Sequence, residues 1–104
     1  MNCGLTDIEL NKLKDLFFQY SDIEKVVLYG SRAKGNYKPF SDVDITLIGD
    51  NITFYQRNQL ATDIDYLLLP YQFDISIFSS LSNPDLIEHI QRVGFTIYQK
   101  LSKT

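Results

Sequence analysis

The sequence predicts a small α/β (α+β) fold, a mixed β-sheet with flanking helices, on three observations. Apolar periodicity switches repeatedly between helical and extended spacing, giving the order αβ(α)βαβα without internal repeat, linker or low-complexity segment. One extended run, Val26-Val27-Leu28-Tyr29, lacks the polar alternation of a half-exposed strand and suits a central strand covered on both faces. Clear helix-start signals stand at Thr6-Asp7-Ile8-Glu9 and at Ser82-Asn83-Pro84. A chain of 104 residues supports one domain over 1–104. Folding at this size buries roughly 60–65% of the accessible surface.

Each element follows from its residues. Thr6 and Glu9 form a capping box, and Leu10, Leu13, Phe17 and Tyr20 recur at helical spacing, so a helix is expected over 7–20. It would cover one side of the sheet. Residues 21–24 turn into a strand at 25–29, which Gly30 ends. A short helical turn over 31–34 is closed by Gly35, and 36–40, containing Pro39, reads as a surface loop.

The second strand, 42–48, places Asp42, Asp44 and Thr46 on one face and Val43, Ile45 and Leu47 on the other. Asn51 or Thr53 would cap a long helix through Phe54, Leu60, Ile64, Leu67 and Leu68 that ends before Pro70. The third strand, 72–78, turns Phe73, Ile75 and Ile77 one way and Asp74 and Ser76 the other. Pro84 sits in the first turn of a last helix, with Leu86, Ile87, Ile90 and Val93 as its apolar stripe and Gly94 as its stop. Residues 95–98 read as a short edge strand and 101–104 as a tail.

Composition narrows the classes. A net charge of −3 and a pI near 4.9 argue against a general nucleic-acid binder, which needs clustered Lys and Arg, and favour a basic or neutral protein partner. Cys3 is the only cysteine, so no internal disulfide forms; beside a frayed terminus it reads as incidental. The opening residues do not indicate a signal peptide. No apolar run reaches the ~20 residues that span a bilayer. The expected location is the cytoplasm.

The chemistry concentrates in residues 30–44, GSRAKGNYKPFSDVD. Gly30 lets the backbone approach closely after a buried strand, and Ser31 starts a turn whose free N–H groups attract anions. Arg32 and Lys34 add positive charge. Taken alone, this is equally an ordinary strand-to-helix turn with Ser31 as its cap. Asp42 and Asp44 project from one strand face with Cα atoms roughly 6.5 Å apart, a spacing that suits chelation of divalent ions. They are also readable as polar residues at a strand mouth. Aspartate is disfavoured in strands and costly to bury without countercharge, and Mg²⁺ would supply that charge. Asp74, mid-strand between Phe73 and Ile75, joins them if its strand lies beside 42–48; there it can take a proton from an attacking hydroxyl. Otherwise it is a sheet-edge carboxylate facing water.

The combination of Gly30-Ser31, ten intervening residues, Asp42-x-Asp44 and a later strand aspartate, Asp74, resembles the nucleotidyltransferase superfamily that includes DNA polymerase β. The short chain and the form GSRAKG…SDVD look like the minimal nucleotidyltransferase (MNT) antitoxins paired with HEPN toxins. The motif-bearing resemblance covers roughly residues 25–77. It implies a minimal nucleotidyltransferase fold over 1–104. It also implies that Gly30 and Ser31 bind the triphosphate with Arg32 in support. Asp42 and Asp44 would then ligate two Mg²⁺ ions, and Asp74 would complete the site, these three being the catalytic residues. The implied reaction transfers AMP from ATP to a tyrosine hydroxyl of a HEPN toxin, in a hetero-oligomer with it and without direct nucleic-acid or membrane contact. Nearly the whole chain is spent on the nucleotide site, so another protein is expected to bring the acceptor.

Two other functions fit the same residues: a non-catalytic antitoxin that masks its toxin by binding, and a nucleotidyltransferase acting on a small molecule. His89, between Glu88 and Ile90, reads as solvent-facing. Tyr37 lies between the halves of the motif and reads as an exposed loop residue, with stacking on a base as the functional alternative.

Overall fold

The computed structural model describes residues 3–101. A four-stranded sheet in the order β3-β2-β1-β4 forms its centre, built from β1 (Lys25–Tyr29), β2 (Val43–Ile48), β3 (Phe73–Ile77) and β4 (Phe95–Gln99). β1 pairs antiparallel with β2 and β4, and β2 pairs parallel with β3. The sheet is therefore mixed, and β1, flanked on both sides, is the interior strand its unbroken apolar run implies.

One face is the main core. Val26 and Leu28 of β1, Val43, Ile45 and Leu47 of β2, and Ile75 of β3 pack there with Leu13 and Phe17 from α1 (Asp7–Phe18) and Leu60 and Ile64 from α3 (Phe54–Asp65). Both helices start with a complete capping box, Thr6 with Glu9 and Thr53 with Gln56. On the opposite face, α4 (Pro84–Val93) seats Ile90 against Val27 and Tyr29, with Leu86 and Phe78 alongside. Asn83 caps α4 by accepting from the Asp85 and Leu86 amides. α4 covers only part of this face, and the acidic residues of β2 and β3 stand on the remainder.

Several boundaries differ from expectation. α1 ends at Phe18, before Tyr20, whose hydroxyl instead donates to Asp63 at 2.6 Å. α3 ends at Asp65 rather than before Pro70: Leu68 takes a left-handed φ of 57° and, with Phe54, is exposed. The last turn tightens instead, the Leu67 and Leu68 amides donating to the Ile64 and Asp65 carbonyls three residues back at 3.0 and 3.1 Å. β2 starts at Val43, leaving Asp42 just outside it, and β3 spans 73–77, the chain tightening into a 3₁₀ turn at Phe78–Ser80. Of the expected tail, residues 102–104 lie outside the described residues. Among the described residues no helix is long and apolar enough to cross a membrane.

Candidate active site

At the end of β1 the chain leaves extended geometry at Gly30, whose φ of 75° and ψ of −156° fall where essentially only glycine goes. A Cβ on this residue would also run into the Asp44 carboxylate. Glycine is thus required both by its torsions and by the close approach of the two strands' ends. Ser31 follows at once and opens α2 (Ser31–Lys34), a single turn closed by Gly35 in left-handed geometry at φ 85°.

Asp44 faces Tyr29 on one side and Asp74 on the other as register partners. Adjacent strands lie about 4.8 Å apart, so the two carboxylates leave one face of the sheet side by side. Burial raises the Asp44 carboxyl above the usual carboxylate range, and the charges of Asp74 and then Asp42 push the same way; His89 opposes them. Among the described residues no three acidic, histidine or cysteine side chains gather closely enough to hold an ion as they stand, in keeping with the repulsion of like charges. The structure thus brings Asp44 and Asp74 together beside Gly30. Asp42 is exposed on the approach, within electrostatic reach of Asp44.

A hydroxyl cluster extends the same face inward. Ser76 Oγ donates to Thr46 Oγ1 at 2.8 Å, and Thr46 is fully buried. Burial raises the pKa of the Tyr29 phenol; neighbouring Ser76 opposes the shift, and the charges of Asp74 and Asp44 add to it. These groups fall out of the strand alternation that puts Thr46 with Asp44 and Ser76 with Asp74.

Arg32, expected to support the triphosphate, is engaged elsewhere. It is 1% exposed. Nη1 donates to the Cys3 carbonyl at 2.8 Å, Nε and Nη2 donate to Ser41 O at 3.1 and 2.9 Å, and Nη2 reaches Pro39 O at 3.2 Å. Its guanidinium carbon lies 5.0 Å and 4.7 Å from the ring centroids of Tyr37 and Tyr71. The loop before Asp42 has carbonyls with no sheet partner, and a guanidinium supplies several donors in one plane. Tyr37 is accordingly half-buried on Arg32 rather than an exposed loop residue. Cys3 is buried in the core with its carbonyl on Arg32, not an incidental residue at a frayed end.

His89 also departs from expectation. It is half-buried, and the Gly30 N–H donates to its Nε2 at 3.2 Å. Its ring meets Tyr29 edge-on, centroids 6.2 Å apart and planes at 81°. The helical stripe through Leu86, Ile90 and Val93 flanks His89, and that neighbourhood was the available signal.

The fold agrees with comparisons to known proteins. The family model "Polymerase beta, Nucleotidyltransferase" matches residues 11–103. A probable protein adenylyltransferase MntA from Haemophilus influenzae is 30% identical over 93 residues, 88% of this chain and 81% of the relative. Among solved structures, a toxin–antitoxin complex with AMP-PNP superposes with a TM-score of 0.72 at 22% identity, covering 88% of this chain and 73% of that one. A tri-AMPylated Shewanella oneidensis HEPN toxin in complex with MNT antitoxin gives a TM-score of 0.69 at 19% identity, covering 92% and 74%. At those identities the structures bear on fold alone. With nearly the whole chain matched by the family model, this protein belongs to the polymerase β nucleotidyltransferase family.

Proposed function

We propose that the chain is a single nucleotidyltransferase domain over 1–104 and a Mg²⁺-dependent protein adenylyltransferase antitoxin. It would transfer AMP from ATP to a tyrosine hydroxyl of a HEPN-family toxin and so neutralise it. The observation that carries this reading is the register pairing of Asp44 with Asp74 directly beside Gly30-Ser31. Its support in the comparisons is the adenylyltransferase relative and the AMPylated HEPN toxin seen with an MNT antitoxin. A reaction that consumes ATP fits a cytoplasmic protein.

The donor set fits divalent metal. Half-buried Asp44 and exposed Asp74 and Asp42 offer hard oxygen ligands of the kind Mg²⁺ takes. Asp42, Asp44 and Asp74 would hold two Mg²⁺ ions, which when bound neutralise phosphate charge and make the acceptor hydroxyl easier to ionise.

The chain's own residues do the rest. Gly30, having no side chain, lets the turn that Ser31 opens close on Asp44, and Ser31 donates to a phosphate oxygen. Asp74, open to solvent, meets the acceptor. The phenol oxygen attacks the α-phosphorus and a new O–P bond forms. The bond from that phosphorus to the α,β-bridging oxygen breaks, and pyrophosphate leaves with its electron pair. The phenol proton passes to Asp74. A free tyrosine ionises at about 10, so a base and positive charge at this position both lower the barrier. Arg32 serves the nucleotide indirectly, fixing the loop between Ser31 and Asp42.

Mass spectrometry of the HEPN toxin co-expressed with this protein tests the reading. The toxin is expected to carry added AMP on tyrosine. Unmodified toxin in a stable complex would instead mark a masking antitoxin, and transfer to a small alcohol without any toxin would mark a small-molecule enzyme.

A further inference from the structure

The His89 side chain accepts the Gly30 N–H, the first amide of the turn that carries Ser31, and the setting of that contact is tightly packed. α4 is held against β1 by Ile90, which is 4% exposed between Val27 and Tyr29. Its end is equally constrained: a Cβ on Gly94 would strike Val27 Cγ1 and the Ile90 carbonyl. The helix therefore lies close on the strand, and the imidazole one residue before Ile90 arrives at Gly30 with little freedom. It is wedged there between the Tyr29 ring and the Gly30 amide.

Gly30 needs such a restraint. Its torsions, φ 75° and ψ −156°, are open to glycine but not favoured over its many alternatives, and glycine is the residue with the most backbone freedom to lose. Rotation of this peptide would redirect Ser31, the residue that follows it and opens α2. We infer that His89 is a positioning residue whose Nε2 holds the Gly30 peptide, keeping Ser31 aimed at the triphosphate before nucleotide arrives. Because Nε2 already accepts the Gly30 N–H, the Ser31 hydroxyl and amide are the groups presented to phosphate. This rests on the nucleotidyltransferase reading above and adds to it a residue from the last helix, outside the motif.

The test uses the full chain, Mg²⁺ and AMP-PNP, with affinity measured by calorimetry for wild type, His89→Leu and His89→Gln. Glutamine carries an acceptor to about the place of Nε2, whereas leucine fills space without one. His89→Leu is expected to weaken AMP-PNP about tenfold, the scale of a misplaced binding group, and His89→Gln to recover most of that loss. Thermal melts of both variants within a few degrees of wild type show that folding is intact. The Gly30 amide cross-peak, followed by ¹⁵N NMR without nucleotide, is expected to shift and broaden in His89→Leu but not in His89→Gln. Equal affinity in wild type and His89→Leu overturns the inference and leaves the enzyme reading standing. So does a His89→Gln variant as impaired as His89→Leu, which would mark packing alone. Wild type that binds no nucleotide overturns both.

Discussion

Asp44→Asn is expected to cut AMP transfer at least about a hundredfold while raising the melting temperature at neutral pH. The two effects have one cause. Asp44 sits half-buried beside Asp74, with Asp42 on its approach, and burial and these two charges outweigh the opposing His89 in disfavouring the ionised form. A group whose folded pKa is raised costs stability wherever it is ionised, above its unfolded pKa, and the cost fades as pH falls and the proton returns. Asparagine keeps the shape and removes the charge. The stability gain over wild type should therefore be present at pH 7 and shrink as pH falls into the carboxylate range. Activity is expected to move the opposite way, because the charge that costs stability is the charge that would hold metal in the proposed reaction. Melting curves across pH, run beside a transfer assay with labelled ATP, check both. A variant that loses activity and stability together would make Asp44 a structural residue.

Arg32→Ala is expected to act through the fold, lowering stability on the order of 4 kcal/mol, from lost charge-assisted hydrogen bonds, orphaned carbonyls and two ring contacts. In a domain whose whole stability is roughly 5–15 kcal/mol, that is a large share. The Cys3, Pro39 and Ser41 carbonyls lose their donor, and Tyr37 and Tyr71 lose the cation between them. Arg32→Lys restores the charge but not the planar fork, so it should recover only part of the loss. Chemical denaturation of both variants measures this. A variant with wild-type stability and a raised KM for ATP would return Arg32 to the phosphates.

The sequence made the acidic face of the sheet legible and left its supports hidden. Asp42, Asp44 and Asp74 are awkward residues in apolar strands, so each announces itself, and strand alternation already assigns Thr46 and Ser76 to their side. Which strand neighbours which is a matter of topology, and only the parallel pairing of β2 with β3 brings Asp74 to Asp44. Arg32 misled because a basic residue after Gly-Ser suits phosphate and backbone carbonyls equally well, and the carbonyls at 3, 39 and 41 come from chain segments that no local pattern links. His89 misled for a related reason: on the helix it looks like a polar residue at the margin of an apolar stripe, and its partner is 59 residues away. α3 stops short of Leu69, the residue Pro70 restricts, while Leu67 and Leu68 continued the helical spacing past the true stop.

The central claim is that Asp44 and Asp74 share metal next to the Gly30-Ser31 turn. Anomalous diffraction from crystals of this protein grown with Mn²⁺ and AMP-PNP locates the ions directly. Scattering peaks are expected within ligand distance of both Asp44 and Asp74, with the triphosphate against Ser31. Mn²⁺ found elsewhere, with those two carboxylates bare beside a bound nucleotide, would contradict it.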